Sequence, residues 1–439
     1  MTEAEKDLRR ELRSLRDGER LEQLAFPGRG SLEVEDELRQ RIAAKGRITF
    51  AEFMEVALYL PRFGYYAADL RSARSGDYVT SPEVHPAFGA LLGRALICLW
   101  RALGAPPNFQ VLEPGAGPGR LFRDALSQIE RESPDCFRSL HYFLSDVGEA
   151  ALAHQHELLG QHEARGKVAW RKPEDRTPVS GGILAHEVVD ALPVHRVVMR
   201  QGRLRELYVS ARGQGFFEEE GEPSRPELRR HLEETGVSLG EGEQTEVGLA
   251  AREWMQQQAA RLERGFLLVI DYGRAAEELA SLPSTSAEKS EQARGSVRSY
   301  YRHALSESPY LRPGYQDITA SVDFTALARA GTEAGLQTIA LLRQEDFLLR
   351  LGMGRWRERL KKMKLESGVR AANLTLMQAL LAPGGLGDMR MLLQSRGLPP
   401  LKLEDIFPPA EGWRGRRPPL LDSVPAEWQD LSSARQHAR

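Results

Sequence analysis

The stretch FQVLEPGAGPG, residues Phe109 to Gly119, decides the fold of this chain. Its apolar beginning predicts a strand that ends at Glu113, and three glycines alternate with other residues directly after it. Apolar residues at helical spacing follow from Leu121 to Ile129. In such a strand, loop and helix unit, glycines let the backbone approach a ligand, and the helix N-terminus offers free N–H groups. The stretch therefore predicts an α/β protein with a ligand at this loop.

Further short apolar runs alternate with helical patterns on both sides of this unit. That order predicts a parallel sheet with helices on both faces. Later in the chain, Ile318 to Phe324 precedes a helix through Ala334, and Gln337 to Arg343 is a last strand, so we expect an antiparallel final pair to close the sheet. The other predicted strands are His141 to Asp146, Val168 to Trp170, Gly182 to Ala185 and Phe266 to Asp271.

The remaining segments surround this core. The spacing of apolar residues from Val34 to Leu60 predicts two amphipathic helices broken at Gly46. The same kind of pattern predicts another helix from Pro86 to Leu103. A hairpin is predicted from two apolar runs, Val194 to Met199 and Leu204 to Val209. Exposed insertions are predicted at Ala211 to Gly242 and at Ser281 to Gly295. We expect a charged N-terminal extension (1–30), a helical region contributing to the ligand site (31–105), a core with insertions at about 211–262 and 275–312 (106–345), a C-terminal helical part (346–400) and a Pro-rich tail (401–439).

Composition narrows the class of protein. The 439 residues carry 60 Lys plus Arg against 62 Asp plus Glu, which gives no global attraction for nucleic acid. Ala87 to Trp100 is too short and too charged to span a membrane. The first 25 residues mix acids and bases without an apolar run, so we expect neither a signal nor a transit peptide and a cytoplasmic location. Cys98 and Cys136 provide no disulfide framework, and no residue pattern predicts a metal site.

The glycine spacing indicates which ligand the loop binds. A dinucleotide fingerprint would require its third glycine at Arg120, so G-x-G-x-G disfavours a nicotinamide cofactor. S-adenosylmethionine (SAM) carries a sulfonium, an ammonium group and a ribose diol, which favour acidic residues around a tight turn. Glu113 meets that need, and Asp146 at the end of the next strand can accept hydrogen bonds from the ribose. We predict that SAM contacts these acids and Gly115, Gly117 and Gly119; the alternative is a plain turn with Asp146 as a helix cap.

Seven blocks in fixed order resemble the MidA-like SAM-dependent methyltransferases, over residues 35 to about 395. The resemblance implies a class I methyltransferase fold, a Rossmann-like seven-stranded mixed sheet with family-specific insertions, and arginine methylation of a protein. This chain has His186 where the family usually has Asn. The blocks are Arg62 to Tyr66, Gly76 to Glu83 with Phe88 and Gly89, the glycine loop, Glu187 to Pro193, Asp271 to Gly273, Pro313 to Thr319 with Val322 to Phe324, and Phe347 with Leu348.

Arginine as acceptor requires nearby carboxylates, because its guanidinium is a cation that must approach a cationic donor. Glu187 and Asp190 follow a strand at its carboxyl end, where open α/β sheets bind ligands, and we predict that they are catalytic. The alternative is an ordinary helix start. We also predict that Thr80 and Ser81 contact the cofactor, although Ser81 is equally suited to cap a helix. Further predicted contacts, on the substrate side, are Asp77, His186 and Asp271.

Three functions remain open at this point. The first is an active methyltransferase with a protein substrate and arginine as the acceptor. The second is an assembly factor that retains SAM without turnover, and the third is a small-molecule methyltransferase. We expect no nucleic acid partner and no membrane insertion, and the sequence leaves a homodimer open.

Overall fold

A computed structural model describes residues 30–68, 80–276, 295–302, 304–306, 308–408 and 418–421. In chain order the helices are α1 (Leu32–Lys45), α2 (Phe50–Tyr59), α3 (Ser81–Val84), α4 (Ala87–Ala102), α5 (Arg120–Glu132), α6 (Pro134–Ser139), α7 (Glu149–Ala164), α8 (Glu227–Thr235), α9 (Leu249–Arg261), α10 (Phe324–Glu333), α11 (Gln344–Arg350), α12 (Met353–Lys361), α13 (Ser367–Ala379) and α14 (Leu403–Ile406).

The strands form one large sheet and several smaller ones. They are β1 (Ile48–Thr49), β2 (Phe109–Pro114), β3 (Leu140–Ser145), β4 (Val168–Trp170), β5 (Val179–His186), β6 (His195–Arg200), β7 (Arg203–Arg212), β8 (Gly215–Gly221), β9 (Gln244–Val247), β10 (Leu262–Asp271), β11 (Gly273–Arg274), β12 (Arg298–Tyr301), β13 (Ala304–Leu305), β14 (Asp317–Thr319), β15 (Val322–Asp323), β16 (Gln337–Arg343) and β17 (Arg390–Arg396).

The large sheet has seven strands in the order β16-β17-β10-β5-β2-β3-β4. Strands β10, β5, β2, β3 and β4 run parallel, and β17 is antiparallel to both of its neighbours. The predicted seven-stranded mixed sheet is thus confirmed. Because all the parallel strands end at one edge, the loops that follow β2, β3, β5 and β10 meet there.

Alternate residues of β10 show that both faces of the sheet are covered. Leu268 and Ile270 pack in one core together with α4 and α5. Leu267 and Val269 point to the opposite face, where Met255 of α9 belongs to the core. A parallel strand buried on both faces is apolar throughout, which explains why the sequence predicted these strands well.

The end of the sheet differs from our expectation. Ile318 to Phe324 does not join the large sheet; it contributes to β14 and β15, which pair with β12 and β11. The antiparallel partner of β16 is instead β17, within 346–400, which we expected to be helical. Only Met391, Leu392 and Leu393 form an apolar run in β17, and polar residues of that strand such as Gln394 are buried by tertiary contacts.

A second sheet with the order β1-β7-β6-β9, and β8 on β7, stands beside the first. The predicted hairpin is confirmed as β6 and β7, and its turn residues Gln201 and Gly202 both have positive φ, 50° and 67°. Helices α1 and α2, separated at Gly46 as predicted, pack on this sheet through residues such as Phe53. The sheet therefore ties the N-terminal helices to the chain that leaves β5.

Several outer segments are more ordered than the sequence suggested. The predicted insertion Ala211 to Gly242 includes β8 and α8, whose Leu228 is fully buried. At the start of the predicted tail, Phe407 is buried and packs edge-on against Phe347, with ring centroids 5.3 Å apart. Residues 1–29, 277–294, 409–417 and 422–439, on which other expectations rested, lie outside the described residues. Among the helices that the structure describes, none has the length and apolar character required to cross a bilayer.

Candidate active site

The glycine loop forms a backbone cradle at the end of β2. Gly115, Gly117 and Gly119 have φ of 65°, 52° and 77°, a region that side chains with a Cβ rarely adopt. A Cβ on Gly115 would lie 2.6 Å from Cγ2 of Val188. Gly119 directly precedes α5, so the N-terminus of that helix faces the loop. The loop therefore needs glycine both for its conformation and for its close approach to the turn after β5.

Two side chains hold the middle of this loop. Oδ2 of Asp146 accepts a hydrogen bond of 2.8 Å from the backbone N–H of Gly117. Nε2 of Gln155 donates to the carbonyl of Gly117 at 2.6 Å, and Nε1 of Trp170 donates to Oε1 of Gln155 at 2.8 Å. Asp146 follows β3 as predicted, whereas nothing in the sequence singled out Gln155 or Trp170. The ribose contact of Asp146 stays a prediction.

A cleft with about 370 Å³ of space, open to solvent, lies over this loop. Its lining includes several of the predicted site residues, and Asp77 lies outside the described part of the chain. Gly119, Ser81, Asp146, Asp190 and Asp271 are not part of the described lining. The lining residues are Thr80, Pro82, Glu83, Glu113, Gly115, Ala116, Gly117, Pro118, Arg120, Leu121, His186 and Glu187.

Glu113 is a buried carboxylic acid in this cleft. Its side chain accepts a hydrogen bond of 2.6 Å from the hydroxyl of Tyr142. Burial raises the pKa of Glu113 to about 8, the Tyr142 bond opposes that shift, and the charge of Asp146 adds to it. A carboxyl group in this state gains a favourable partner when a cation enters the cleft.

Thr80 and Ser81 have different surroundings. The backbone N–H and the hydroxyl of Thr80 both donate to Oε2 of Glu83, each at 3.0 Å, and Thr80 faces the cleft. Ser81 is fully buried, and its hydroxyl accepts a bond of 3.2 Å from Nε2 of Gln344 at the start of α11. This geometry gives no support to the predicted cofactor contact of Ser81. It shows instead that Ser81 joins α3 to the C-terminal helices.

The turn after β5 carries both predicted catalytic acids. Glu187 and Asp190 are buried, and Glu187 has a φ of 51°, which is unusual for a residue with a side chain. Nε2 of His186 lies 3.3 Å from Oε1 of Glu187. Oδ2 of Asp271, the last residue of β10, accepts hydrogen bonds from the N–H groups of Val188 (3.1 Å), Val189 (2.8 Å) and Asp190 (3.3 Å).

Asp271 is therefore placed beneath the turn and is fully buried. Its other oxygen accepts a bond of 2.8 Å from the N–H of Tyr272. Burial raises the pKa of Asp271 to about 6, while these backbone donors oppose the shift because they stabilise the ionised carboxylate. The geometry shows contacts with the backbone of the turn, and none of them involves the cleft where we had predicted a substrate contact.

Three further residues surround the turn and were not predicted. The hydroxyl of Tyr59 donates to the carbonyl of Ala191 at 3.0 Å, and the hydroxyl of Tyr66 donates to Oδ1 of Asp317 at 2.8 Å. The rings of Tyr59 and Tyr66 stack with centroids 5.6 Å apart. Burial and the nearby carboxylates of Asp317 and Asp190 raise the pKa of Tyr59. Tyr66 and Asp317 stand in the blocks Arg62 to Tyr66 and Pro313 to Thr319, which was the available signal.

Comparison with known proteins identifies the family. The family model described as "Putative S-adenosyl-L-methionine-dependent methyltransferase" matches residues 91–342, more than half of the chain. The chain belongs to this family. Two curated relatives are the "Protein arginine methyltransferase NDUFAF7 homolog, mitochondrial" of Drosophila melanogaster, 31% identical over 74% of this chain and 76% of that protein, and "Protein arginine methyltransferase NDUFAF7, mitochondrial" of Homo sapiens, 27% identical over 80% of each.

A solved structure agrees with this family in fold and ligand. The "likely methyl transferase" from Burkholderia thailandensis bound to S-adenosyl-homocysteine has a TM-score of 0.74, with 29% identity over 86% of this chain and 94% of that chain. These comparisons confirm the class I methyltransferase fold, the resemblance stated from the sequence, and SAM as the cofactor. The protein is a SAM-dependent methyltransferase.

One expectation is wrong. We expected a cytoplasmic location, but the curated relatives are named as mitochondrial proteins. The expectation rested only on the mixed charges of the first 25 residues. Such a pattern describes only the local composition of the N-terminus, and it did not indicate the compartment in which these relatives are found.

Proposed function

We propose that this methyltransferase transfers the methyl group of SAM to an arginine side chain of a protein, with Glu187 and Asp190 holding the guanidinium group. The observation that carries the proposal is the turn after β5: it carries two buried carboxyl groups, its Val188 packs on Gly115 of the glycine loop, and its Glu187 lines the cleft. The names of the curated relatives, which are protein arginine methyltransferases, support the same acceptor.

The cofactor side of the cleft fits SAM. Gly115 and Gly117 have left-handed backbone conformations and line the cleft, and the carboxyl group of Glu113 is suited to the cationic groups of the ligand. Arg120, the first residue of α5, also lines the cleft and brings a positive charge for the carboxylate of SAM. The Thr80 and Asp146 contacts predicted from the sequence belong to the same proposal.

The acceptor side needs carboxylates because both reacting groups are positively charged. SAM supplies its methyl group from a sulfonium cation, and a guanidinium is a second cation. Two unit charges of the same sign about 4 Å apart repel by about 4 kcal/mol at an effective dielectric constant of 20. Glu187 and Asp190 offset this repulsion, and their oxygens orient the guanidinium by charge-assisted hydrogen bonds.

The reaction balances with these groups. A guanidino nitrogen forms a bond to the methyl carbon, the bond between carbon and sulfur breaks, and its electron pair stays on sulfur. The methylated guanidinium keeps one positive charge, so one proton must leave the nitrogen. The carboxylate of Glu187, which lines the cleft, is the proposed acceptor of that proton.

The test uses the purified full-length protein with SAM labelled in its methyl group and a lysate of cells that lack the gene. We expect labelled protein that yields methylarginine after acid hydrolysis. Two matched variants accompany the wild type: Glu187→Gln removes a proposed catalytic charge, and Glu219→Gln removes a charge from the second sheet, away from the cleft. Only the first should abolish labelling.

Two results would overturn the proposal. Label in a small molecule with none in protein would assign a small-molecule methyltransferase. Tight SAM binding without label in any product would assign a protein that retains SAM without turnover.

A further inference from the structure

The carboxylate of Asp271 lies at the junction between the end of β10 and the turn that carries Glu187 and Asp190. One oxygen accepts three successive backbone N–H groups, those of residues 188 to 190, at 2.8 to 3.3 Å. The other oxygen accepts the N–H of Tyr272 at 2.8 Å. With both oxygens occupied and the side chain fully buried, the group has the character of an anion held by backbone donors.

The turn needs such an external support. Glu187 has a left-handed backbone conformation, with φ of 51°, which costs free energy in a residue with a Cβ and persists only where its surroundings fix it. The backbone N–H of Glu187 donates to the carbonyl of Ile270 at 2.9 Å, so the residue before Asp271 also holds the turn. The end of β10 thus fixes four consecutive amides, from residue 187 to residue 190.

The turn also sets the distance between the two halves of the site. Val188 packs so closely on Gly115 that a Cβ there would meet it at 2.6 Å. A shift of the turn would therefore move the carboxyl groups of Glu187 and Asp190 relative to the glycine loop. Methyl transfer requires the donor carbon and the acceptor nitrogen to be aligned, and a misplacement of about 1 Å can cost about 100-fold in rate.

We infer that Asp271 is a positioning residue of this methyltransferase: its carboxylate fixes the turn that presents Glu187 and Asp190, and it does not contact the acceptor. The inference rests on the proposed function, because the turn is the proposed acceptor site. It also replaces the substrate contact that the sequence had predicted for Asp271.

The experiment compares Asp271→Asn with the wild-type protein. An amide of the same shape places its NH₂ group against either the three turn N–H groups or that of Tyr272, so at least one hydrogen bond is lost. The matched control is Asp175→Asn. Oδ1 of Asp175 accepts the N–H of Thr177 at 2.8 Å, and the backbone of Asp175 contacts Arg261 beside the start of β10, the end of that strand opposite Asp271. Calorimetric titration with S-adenosyl-homocysteine counts the competent sites in each preparation.

Turnover per competent site separates positioning from mere stability. For Asp271→Asn we expect it to fall by about tenfold or more, with cofactor Kd within about threefold of the wild type. Amide hydrogen exchange should accelerate at residues 188 to 190. For Asp175→Asn, turnover per site and exchange in the turn should equal those of the wild type.

Three outcomes would overturn the inference. Unchanged turnover per site despite faster exchange would show that the position of the turn does not matter. A higher acceptor KM with an unchanged kcat would make Asp271 a substrate contact. Unchanged exchange at residues 188 to 190 would show that the carboxylate does not hold them.

A second variant covers the case in which Asp271→Asn does not fold. Tyr59→Phe removes the hydroxyl that donates at 3.0 Å to the carbonyl of Ala191, the residue that follows Asp190 in the same turn. It should lower turnover per site in the same direction and by less, and no change would count against the inference. If the wild type labels an acceptor other than arginine, the proposed function fails while turnover per site still tests Asp271.

Discussion

The side of the site proposed for the cofactor is built largely from main chain, whereas the side proposed for the acceptor carries the side-chain carboxyl groups of Glu187 and Asp190. The first side contains Gly115, Gly117 and Gly119, all in the left-handed backbone conformation, which glycine adopts readily. On the second side the left-handed residue is Glu187, which requires the support of Asp271. The same backbone conformation therefore comes from residue choice on one side and from tertiary contacts on the other.

This difference predicts which kinetic or binding quantity a single substitution changes on each side. A change at a glycine of the loop forces the backbone that lines the cofactor side to shift. A change at a carboxyl group leaves the space intact and alters charge or alignment. Substitutions on the first side should therefore affect binding, and those on the second should affect turnover.

Gly115→Val should have the largest effect. A branched side chain would adopt φ of 65° and collide with Val188, where a Cβ alone would come within 2.6 Å. Strain and collision of about 3 kcal/mol or more correspond to a loss of SAM affinity of about 100-fold or more. Calorimetric titration with SAM measures it. Gly104→Val is the control, because Gly104 also has a positive φ, 86°, but nothing lies within 4 Å of an added Cβ; retained SAM binding in Gly115→Val would contradict the cradle.

Asp190→Asn should show the opposite pattern. Removing one stabilising charge from the acceptor side should lower kcat by about 100-fold and leave SAM affinity nearly unchanged. Single-turnover kinetics with labelled SAM separate the two quantities. Asp135→Asn, at an exposed carboxylate on α6, should match the wild type. A loss of SAM binding in Asp190→Asn with normal turnover of the bound fraction would contradict the assignment of Asp190 to turnover rather than to cofactor binding.

Glu113 should make cofactor binding depend on pH. Its pKa of about 8 in the free protein means that most molecules carry the neutral acid at pH 7. A cation favours the ionised form, so binding lowers this pKa and releases a proton. Affinity should then rise with pH below 8, by up to about tenfold per unit. Titrations at pH 7 in buffers of different ionisation enthalpy should show release of up to about one proton in the wild type and none in Glu113→Gln.

The same group has a predictable effect on stability. Because burial raises its pKa from 4.5 to about 8, the folded state binds this proton more tightly than the unfolded state. Its contribution to stability is present at low pH and is lost as pH rises through that interval. Thermal melts should therefore show Glu113→Gln gaining stability relative to the wild type as pH rises from 5 to 9. A constant difference would indicate that Glu113 is ionised in the free protein.

Gln155→Leu should have the smallest effect. It removes a hydrogen bond of 2.6 Å to the carbonyl of Gly117 from a fully buried position. A buried neutral hydrogen bond contributes about 1 kcal/mol, so SAM Kd should rise about fivefold. Gln257→Leu, on exposed α9 surface, is the control. An effect as large as that of Gly115→Val would mean that a side chain, rather than glycine, determines the cradle.

Sequence reasoning succeeded where the chain itself is distinctive and was weaker where distant segments meet. Strand β2, the glycine loop and α5 are consecutive, so the local pattern was sufficient to predict them. Asp146 was singled out because it directly follows the next parallel strand, and the structure places it against Gly117. No local pattern marks Tyr59, Gln155 or Asp317, because their contacts with the site are made with residues distant in the sequence. Asp271 was singled out, but burial and its backbone donors, which no spacing reveals, point to a different role.

Strand β17 gives the molecule a particular order of assembly. It lies between β10 and β16, although the chain makes it after both, so β10 has only β5 beside it until residues 390–396 arrive. During synthesis the unpaired edge of an apolar strand is exposed to wrong partners. Asp271, at the end of β10, pairs with Arg390, the first residue of β17. A nascent chain can thus contain the whole glycine loop and both acids proposed to be catalytic and still lack the strand that completes the sheet beside them.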